Sequence, residues 1–237
     1  MPAYGYAAEP SEPGGRAGRN HRKRNNIDNT LTKRANMCEE KLVKVGQDVP
    51  SFEMETYDPA EREFGKITLE EIKKKDKWTI LVFYPADFTF VCPTELADLA
   101  EKHEALKKLG AEVISVSTDT KFSHLAWRDA EKLLAGVKYL MGADPTGTVS
   151  KLFGVYDCGT GLALRGTFII NPDGKLVSSE VNFYNVGRNA DELLRKMEAN
   201  VYLLKHPAEA CPARWQKGDK TLKPSEKLVG KVFEALQ

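Results

Sequence analysis

From Met37 onward, apolar and polar positions fall into short runs of two alternating periods. Lys77-Trp78-Thr79-Ile80-Leu81-Val82-Phe83-Tyr84 is a nearly continuous apolar stretch rich in aromatic and β-branched residues, the composition of a strand buried on both faces. After a short loop, Leu96, Leu99, Ala100, His103, Leu106 and Leu109 recur at helical spacing. Pro93 suits the first position of that helix and Gly110 its C′ end. Ala111 to Ser117 predicts a second buried strand, and Phe122, Leu125, Ala126, Ala130, Leu133 and Leu134 form a helical stripe. Val137 to Met141 makes a short third strand, and Asp144-Pro145-Thr146-Gly147 turns into a short helix through Val149, Leu152 and Phe153. Leu162 to Ile170 and Leu176 to Phe183 flank Asn171-Pro172-Asp173-Gly174 and predict a hairpin. Ala190, Leu193, Leu194, Met197, Val201 and Leu204 then trace an amphipathic helix. Strands and helices in this order predict an α/β fold with a mixed sheet and helices on both faces.

The flanks read differently. Residues 1–36 are rich in Gly, Pro, Asn and Arg with few large aliphatics, so they are expected to be a disordered, basic extension. A nucleic-acid or lipid contact, a transit peptide and a translation start at Met37 are all consistent with them. Residues 37–204 form the expected folded domain and residues 205–237 a mostly polar, extended C-terminal tail. In that tail stands Ala210-Cys211-Pro212-Ala213-Arg214-Trp215, whose Trp suits either docking on another surface or covering a patch of its own chain.

Charge narrows the classes. Lysine plus arginine number 35 against 34 acidic residues, a balance that points away from a specific nucleic-acid binder. No apolar run approaches the ~18 residues of a membrane span, and residues 1–36 contain no signal-like apolar core. Four cysteines (Cys38, Cys92, Cys158 and Cys211) without a CxxC or a zinc-like spacing suggest thiol chemistry in the cytoplasm.

Cys92 is the informative one. It lies in Pro85-Ala86-Asp87-Phe88-Thr89-Phe90-Val91-Cys92-Pro93-Thr94-Glu95, at the passage from a buried strand into a helix N-terminus. Unpaired backbone N–H groups and the positive end of the helix dipole favour a thiolate there. A buried structural cysteine is the alternative. A free thiol with pKa ~8.5 is only about 3% ionised at neutral pH, and bringing such a group to ~6 takes roughly 3.4 kcal/mol. A helix N-terminus supplies ~0.3–2 kcal/mol, so a nearby cation is also required.

These segments together resemble the two-cysteine peroxiredoxins, specifically the bacterial alkyl hydroperoxide reductase C group, over essentially Lys41 to the C-terminus. The motifs that carry the resemblance are Pro85-x-x-x-Thr89-x-x-Cys92, Leu164-Arg165-Gly166-Thr167-Phe168, Glu209-Ala210-Cys211-Pro212-Ala213-Arg214-Trp215 and Ser123-His124-Leu125-Ala126-Trp127. The resemblance implies a thioredoxin-like fold and a thiol peroxidase needing no metal, haem or flavin of its own. It implies Cys92 as the peroxide-reactive thiol, oxidised to sulfenic acid, and Cys211 of the partner protomer as the thiol that resolves it. Arg165 is the implied cation, Thr89 orients the peroxide, and Pro85 shapes the loop. Glu95 either orients arginine side chains or simply complements the helix dipole. Cys158, in the turn Asp157-Cys158-Gly159-Thr160-Gly161, is expected to be an incidental surface thiol.

The same resemblance implies hydroperoxide substrates and recycling by a flavoprotein disulfide reductase or a thioredoxin-like dithiol. It also implies a homodimer assembled into a ring of five dimers, with Phe88 and Trp127 expected to be exposed for ring contacts. The Gly-Gly-Leu-Gly and C-terminal Tyr-Phe elements of peroxide-sensitive eukaryotic relatives are absent, so sulfinic over-oxidation should be slow. A disulfide isomerase is disfavoured by the missing CxxC. A holdase chaperone formed by a high-order assembly is the remaining alternative.

Overall fold

The computed structural model describes residues 42–237; the expectations for residues 1–36 and for Cys38 lie outside the described residues. Two strands open it that the hydrophobic pattern did not reveal, β1 (Glu53–Asp58) and β2 (Glu63–Thr68). Charged and polar residues interrupt β1 and β2 is largely exposed, so neither presents an apolar run. Thr68 and Glu71 then form a reciprocal capping box for α1 (Leu69–Lys74).

β3 (Trp78–Phe83) is buried throughout, as its composition predicts. It leads through a loop into α2 (Cys92–Lys108), which ends with Gly110 in the left-handed region at φ 83°. β4 (Ala111–Ser117) lies parallel to β3, and β5 (Leu140–Ala143) parallel to β4. Between β4 and β5 the expected stripe to Leu134 divides: α3 (Lys121–Ala130) stops, and a 3₁₀ turn over Lys132–Gly136 follows. Thr120 caps the first of these and the Glu131 side chain accepts from Leu133 N–H, restarting the chain in a tighter coil. Val137 and Tyr139 are therefore buried ahead of the third strand rather than within it.

Next come α4 (Thr148–Leu152) and a small separate hairpin, β6 (Tyr156–Asp157) with β7 (Leu162–Ala163). The expected hairpin arm from Leu162 to Ile170 is thus split at Leu164, whose N–H turns to the carbonyl of Val155 at 2.7 Å. β8 (Arg165–Ile170) and β9 (Leu176–Asn182) make the predicted antiparallel pair. The seven-stranded sheet runs β2-β1-β5-β4-β3-β8-β9, mixed in direction and with β3 near its middle. Because side chains alternate along β3, Ile80 and Val82 meet Leu96, Leu99 and Met197, whereas Leu81 and Phe83 join Phe153 and Phe168. Helices α2 and α5 (Ala190–Lys205) supply the first of these layers. α6 (Val232–Leu236) ends the chain. No helix among the described residues is long and apolar enough to cross a membrane.

The tail folds back on its own chain. Trp215 is buried, its ring 5.2 Å from that of Tyr202 on α5, and Arg195 Nη1 donates to its carbonyl at 3.1 Å. Glu209 accepts hydrogen bonds from both Tyr202 and Thr221. Of the two uses open to this tryptophan, it takes the second and covers its own surface.

Candidate active site

Cys92 is the first residue of α2 and has no exposed surface. Val91 caps the helix with its backbone already helical and makes no side-chain cap, so the positive end of α2 is left to the groups around the sulfur. Pro93, which lacks an N–H, follows at no cost to helix bonding.

The loop between β3 and α2 is tied from beneath. Tyr84 Oη donates to Asp87 Oδ1 at 2.8 Å, Asp87 Oδ2 lies 2.9 Å from His124 Nδ1, and His124 Nε2 lies 3.1 Å from the carbonyl of Gly142. The backbone N–H of Asp87 is held by Asp119 at 2.8 Å. Such buried polar groups are tolerable only because each has a partner. Within this loop Phe88 adopts φ 55°, a left-handed conformation that costs a non-glycine residue of order 1–3 kcal/mol. Phe88 is exposed as expected, but Trp127 is only 1% exposed, so that expectation fails: its ring packs on Tyr84 and Phe88. Pro85 is buried and Thr89 partly buried. The Thr89 hydroxyl donates to the carbonyl of Ala86 at 2.8 Å.

β8 brings the cation. Arg165 starts that strand, is 3% exposed, and is followed by Gly166, where a Cβ would fall 2.7 Å from the ring of Phe168 and 2.8 Å from Val155. Arg165 Nη1 donates to Cys92 Sγ at 3.4 Å and to Glu95 Oε2 at 2.5 Å, while its Nε donates to the carbonyl of Tyr184 at 2.7 Å. Glu95 is bound from the other side by Arg188, through the backbone N–H at 2.9 Å, Nε at 2.8 Å and Nη2 at 3.1 Å. Burial works to raise the Glu95 pKa, but the hydrogen bonds and charge of Arg188, then the charge of Arg165, hold it below the ordinary carboxylate range. Of the two roles weighed for Glu95, orienting arginines is the one its contacts support.

Arg188 and Tyr184 carry no signal that the sequence pattern exposes. Both lie in the link between β9 and α5, where the only local cue is Asn189, the N-cap that accepts from Asp191 and Glu192 N–H. Arg188 and its partner Glu95 are 93 residues apart, a separation that no local pattern encodes.

Cys211 lies elsewhere, half-buried on the tail beside Arg195, Lys196 and Leu203 of α5. Burial pushes its thiol up, partly opposed by the charge of Arg195. Cys92 and Cys211 are both free thiols, and the structure does not bring them together within one chain as a bonded pair. Cys158 is exposed as expected but is disulfide-bonded, which corrects its reading as an incidental thiol. With four cysteines the pairing cannot be deduced from spacing.

Comparison with known proteins identifies the family. The AhpC/TSA family profile matches residues 45–179, and that of the C-terminal domain of 1-Cys peroxiredoxin matches residues 204–235. Alkyl hydroperoxide reductase C of Staphylococcus aureus is 46% identical over 188 residues, covering 79% of this chain and 98% of that protein. The crystal structure of Enterococcus faecalis AhpC superposes with a TM-score of 0.68 at 43% identity, over 72% of this chain and all of that one. The reduced 2-Cys peroxiredoxin of Plasmodium vivax gives 0.71 at 34% identity, over 77% of this chain and 94% of that one. On these matches, which extend from the strand before Cys92 into the tail that carries Cys211, the chain belongs to the AhpC/TSA family, among the peroxiredoxins of the alkyl hydroperoxide reductase C group, and is a thiol peroxidase.

Proposed function

We propose that the chain reduces hydrogen peroxide and organic hydroperoxides through Cys92, and that Cys211 of a partner protomer closes the cycle. The observation that carries the reading is a buried sulfur at a helix start, 3.4 Å from the guanidinium of Arg165. At an effective dielectric of 20, a unit charge about 4 Å away contributes ~4 kcal/mol, against ~0.3–2 kcal/mol from the helix N-terminus. The guanidinium therefore outweighs the dipole. Arg165, Arg188 and Glu95 carry a formal excess of one positive charge, which a thiolate at Cys92 would neutralise.

In the first step the thiolate attacks one peroxide oxygen. An S–O bond forms, the O–O bond breaks, and the leaving oxygen takes a proton to become water or an alcohol, leaving a sulfenic acid on Cys92. Charge builds on the departing oxygen, and Arg165 is the donor positioned to meet it. Thr89 has committed its single proton to the Ala86 carbonyl, so its oxygen is left as an acceptor for the peroxide O–H. Thr89→Val is expected to slow peroxide reduction by at least about tenfold, the value of one well-placed hydrogen bond. Its thermal stability should stay near wild type; an unchanged rate in stopped-flow measurement would remove Thr89 from the mechanism.

In the second step the thiolate of Cys211 attacks the sulfenic sulfur, a disulfide forms and hydroxide leaves as water. An external dithiol, from a flavoprotein disulfide reductase or a thioredoxin-like protein, then reduces that disulfide. One feature supports this assignment: Cys211 is a free thiol on the tail beside α5, whereas Cys158 is disulfide-bonded. Treated with one equivalent of peroxide, wild type is expected to form a reducible dimer on denaturing gels. Cys211→Ser should instead retain a sulfenic acid that dimedone traps; a disulfide between protomers in that variant would transfer the role to another thiol. We further propose that the working unit is a homodimer assembled into a ring of dimers in the cytoplasm, acting in antioxidant defence.

A further inference from the structure

The link between β9 and α5 has to deliver the Tyr184 carbonyl to Arg165 without the support of sheet or helix bonding. Arg188 ties the far end of this link to Glu95, and the Tyr184 side chain anchors the near end. Tyr184 Oη donates to Asp157 Oδ2 at 2.7 Å and lies 2.9 Å from the Thr160 hydroxyl, which itself donates to Asp157 Oδ2 at 2.9 Å. Asp157 Oδ1 meanwhile accepts from Gly159 N–H at 2.8 Å, closing the β6–β7 turn on which it sits. We propose that Asp157 and Tyr184 form a strut that positions the Arg165 guanidinium on Cys92, making both of them positioning residues for the peroxidase reaction. This rests on the reading of Arg165 and Cys92 given above.

The geometry explains why a remote hydroxyl should matter to the sulfur. A guanidinium is planar, so fixing its Nε–H on one acceptor fixes the directions of its other donors. With Nε held by the Tyr184 carbonyl and one Nη1 hydrogen taken by Glu95, the second Nη1 hydrogen is aimed at Sγ. If the Tyr184 carbonyl swings away, the plane turns about the Glu95 contact and the aim at sulfur is lost while the Arg165–Glu95 pair survives. The hydrogen bond from Tyr184 holds the Asp157 carboxyl below its ordinary pKa range, in keeping with an ionised anchor near neutral pH.

Tyr184→Phe removes only the hydroxyl. In the full-length Cys211→Ser background, its peroxide oxidation rate is expected to fall about tenfold or more, the size of one hydrogen bond to a charged group. The pH profile of Cys92 alkylation by iodoacetamide should move to higher pH, with little change in melting temperature. Thr160→Val should give a smaller shift of the same sign. Asp157→Ala combined with Tyr184→Phe should be no worse than the more severe single variant, since both break one strut. A wild-type alkylation profile in Tyr184→Phe would overturn the proposal, as would a rate loss accompanied only by a lower melting temperature. Alkylation needs no peroxide, so an inactive wild-type enzyme would refute the peroxidase reading while the strut is still judged on its own readout.

Discussion

Arg165→Met is expected to lower the rate of peroxide reduction by about 10²–10³-fold while leaving the protein folded, the scale on which removal of one preorganised donor usually acts. Methionine replaces much of the buried stem, and Glu95 keeps its three contacts from Arg188, so the variant does not strand a buried carboxylate. What it removes is the donor at 3.4 Å from Cys92 Sγ. Two effects separate by assay. Alkylation by iodoacetamide at neutral pH reports the thiolate alone and should slow less than peroxide reduction, which also loses stabilisation of the leaving oxygen. Arg165→Lys should fall between the two, because an ammonium carries the charge but cannot address Tyr184, Glu95 and sulfur with a planar fork. A peroxide rate within about twofold of wild type in Arg165→Met would place the activating charge elsewhere.

Glu95→Gln should cost stability above all. The Glu95 side chain is 4% exposed and is the shared counter-ion of two buried guanidiniums, and breaking such a pair by removing one partner typically costs ~3–5 kcal/mol. For a folded unit of this size that corresponds to a fall in melting temperature of about 10 °C. The pH dependence gives a signature. Because the folded state holds the Glu95 pKa below its ordinary value of 4.5, its contribution is fully present above that value and is lost as pH falls through the lowered one. The stability gap between wild type and Glu95→Gln is therefore expected to be wide at neutral pH and to narrow on acidification below the ordinary carboxylate range. Chemical denaturation of both proteins across that range measures it; a constant gap would mean that the charge of Glu95 is not what stabilises the fold.

The sheet centre and the cysteine were legible because both are local signals. β3 is a continuous apolar run, and the strand–loop–helix passage around Cys92 needs only its neighbours to be recognised. β1 escaped because Glu53, Glu55 and Asp58 interrupt its apolar positions, leaving Met54 and Tyr57 to carry its burial. The helical stripe through Leu134 was over-extended because a 3₁₀ turn buries Leu134 much as another helical turn would. Trp127 was expected at the surface, but Tyr84 and the loop residue Phe88 cover it, a contact set by tertiary packing. In the site, Arg165 was recoverable from its motif, whereas Arg188, Tyr184 and Asp157 act through contacts that bring together the helix after Cys92, the link before α5 and a two-residue hairpin. No window of sequence contains that arrangement.

Whether Cys92 itself breaks the peroxide bond is tested most directly by mixing stoichiometric protein with hydrogen peroxide and following peroxide loss together with the mass of the Cys92 peptide. With Cys211→Ser, one equivalent of peroxide should disappear within seconds as one oxygen atom is added at Cys92. With Cys92→Ser, peroxide should persist at the level of buffer alone. Consumption by Cys92→Ser at the wild-type rate, or an unmodified Cys92 after peroxide has gone, would contradict the account.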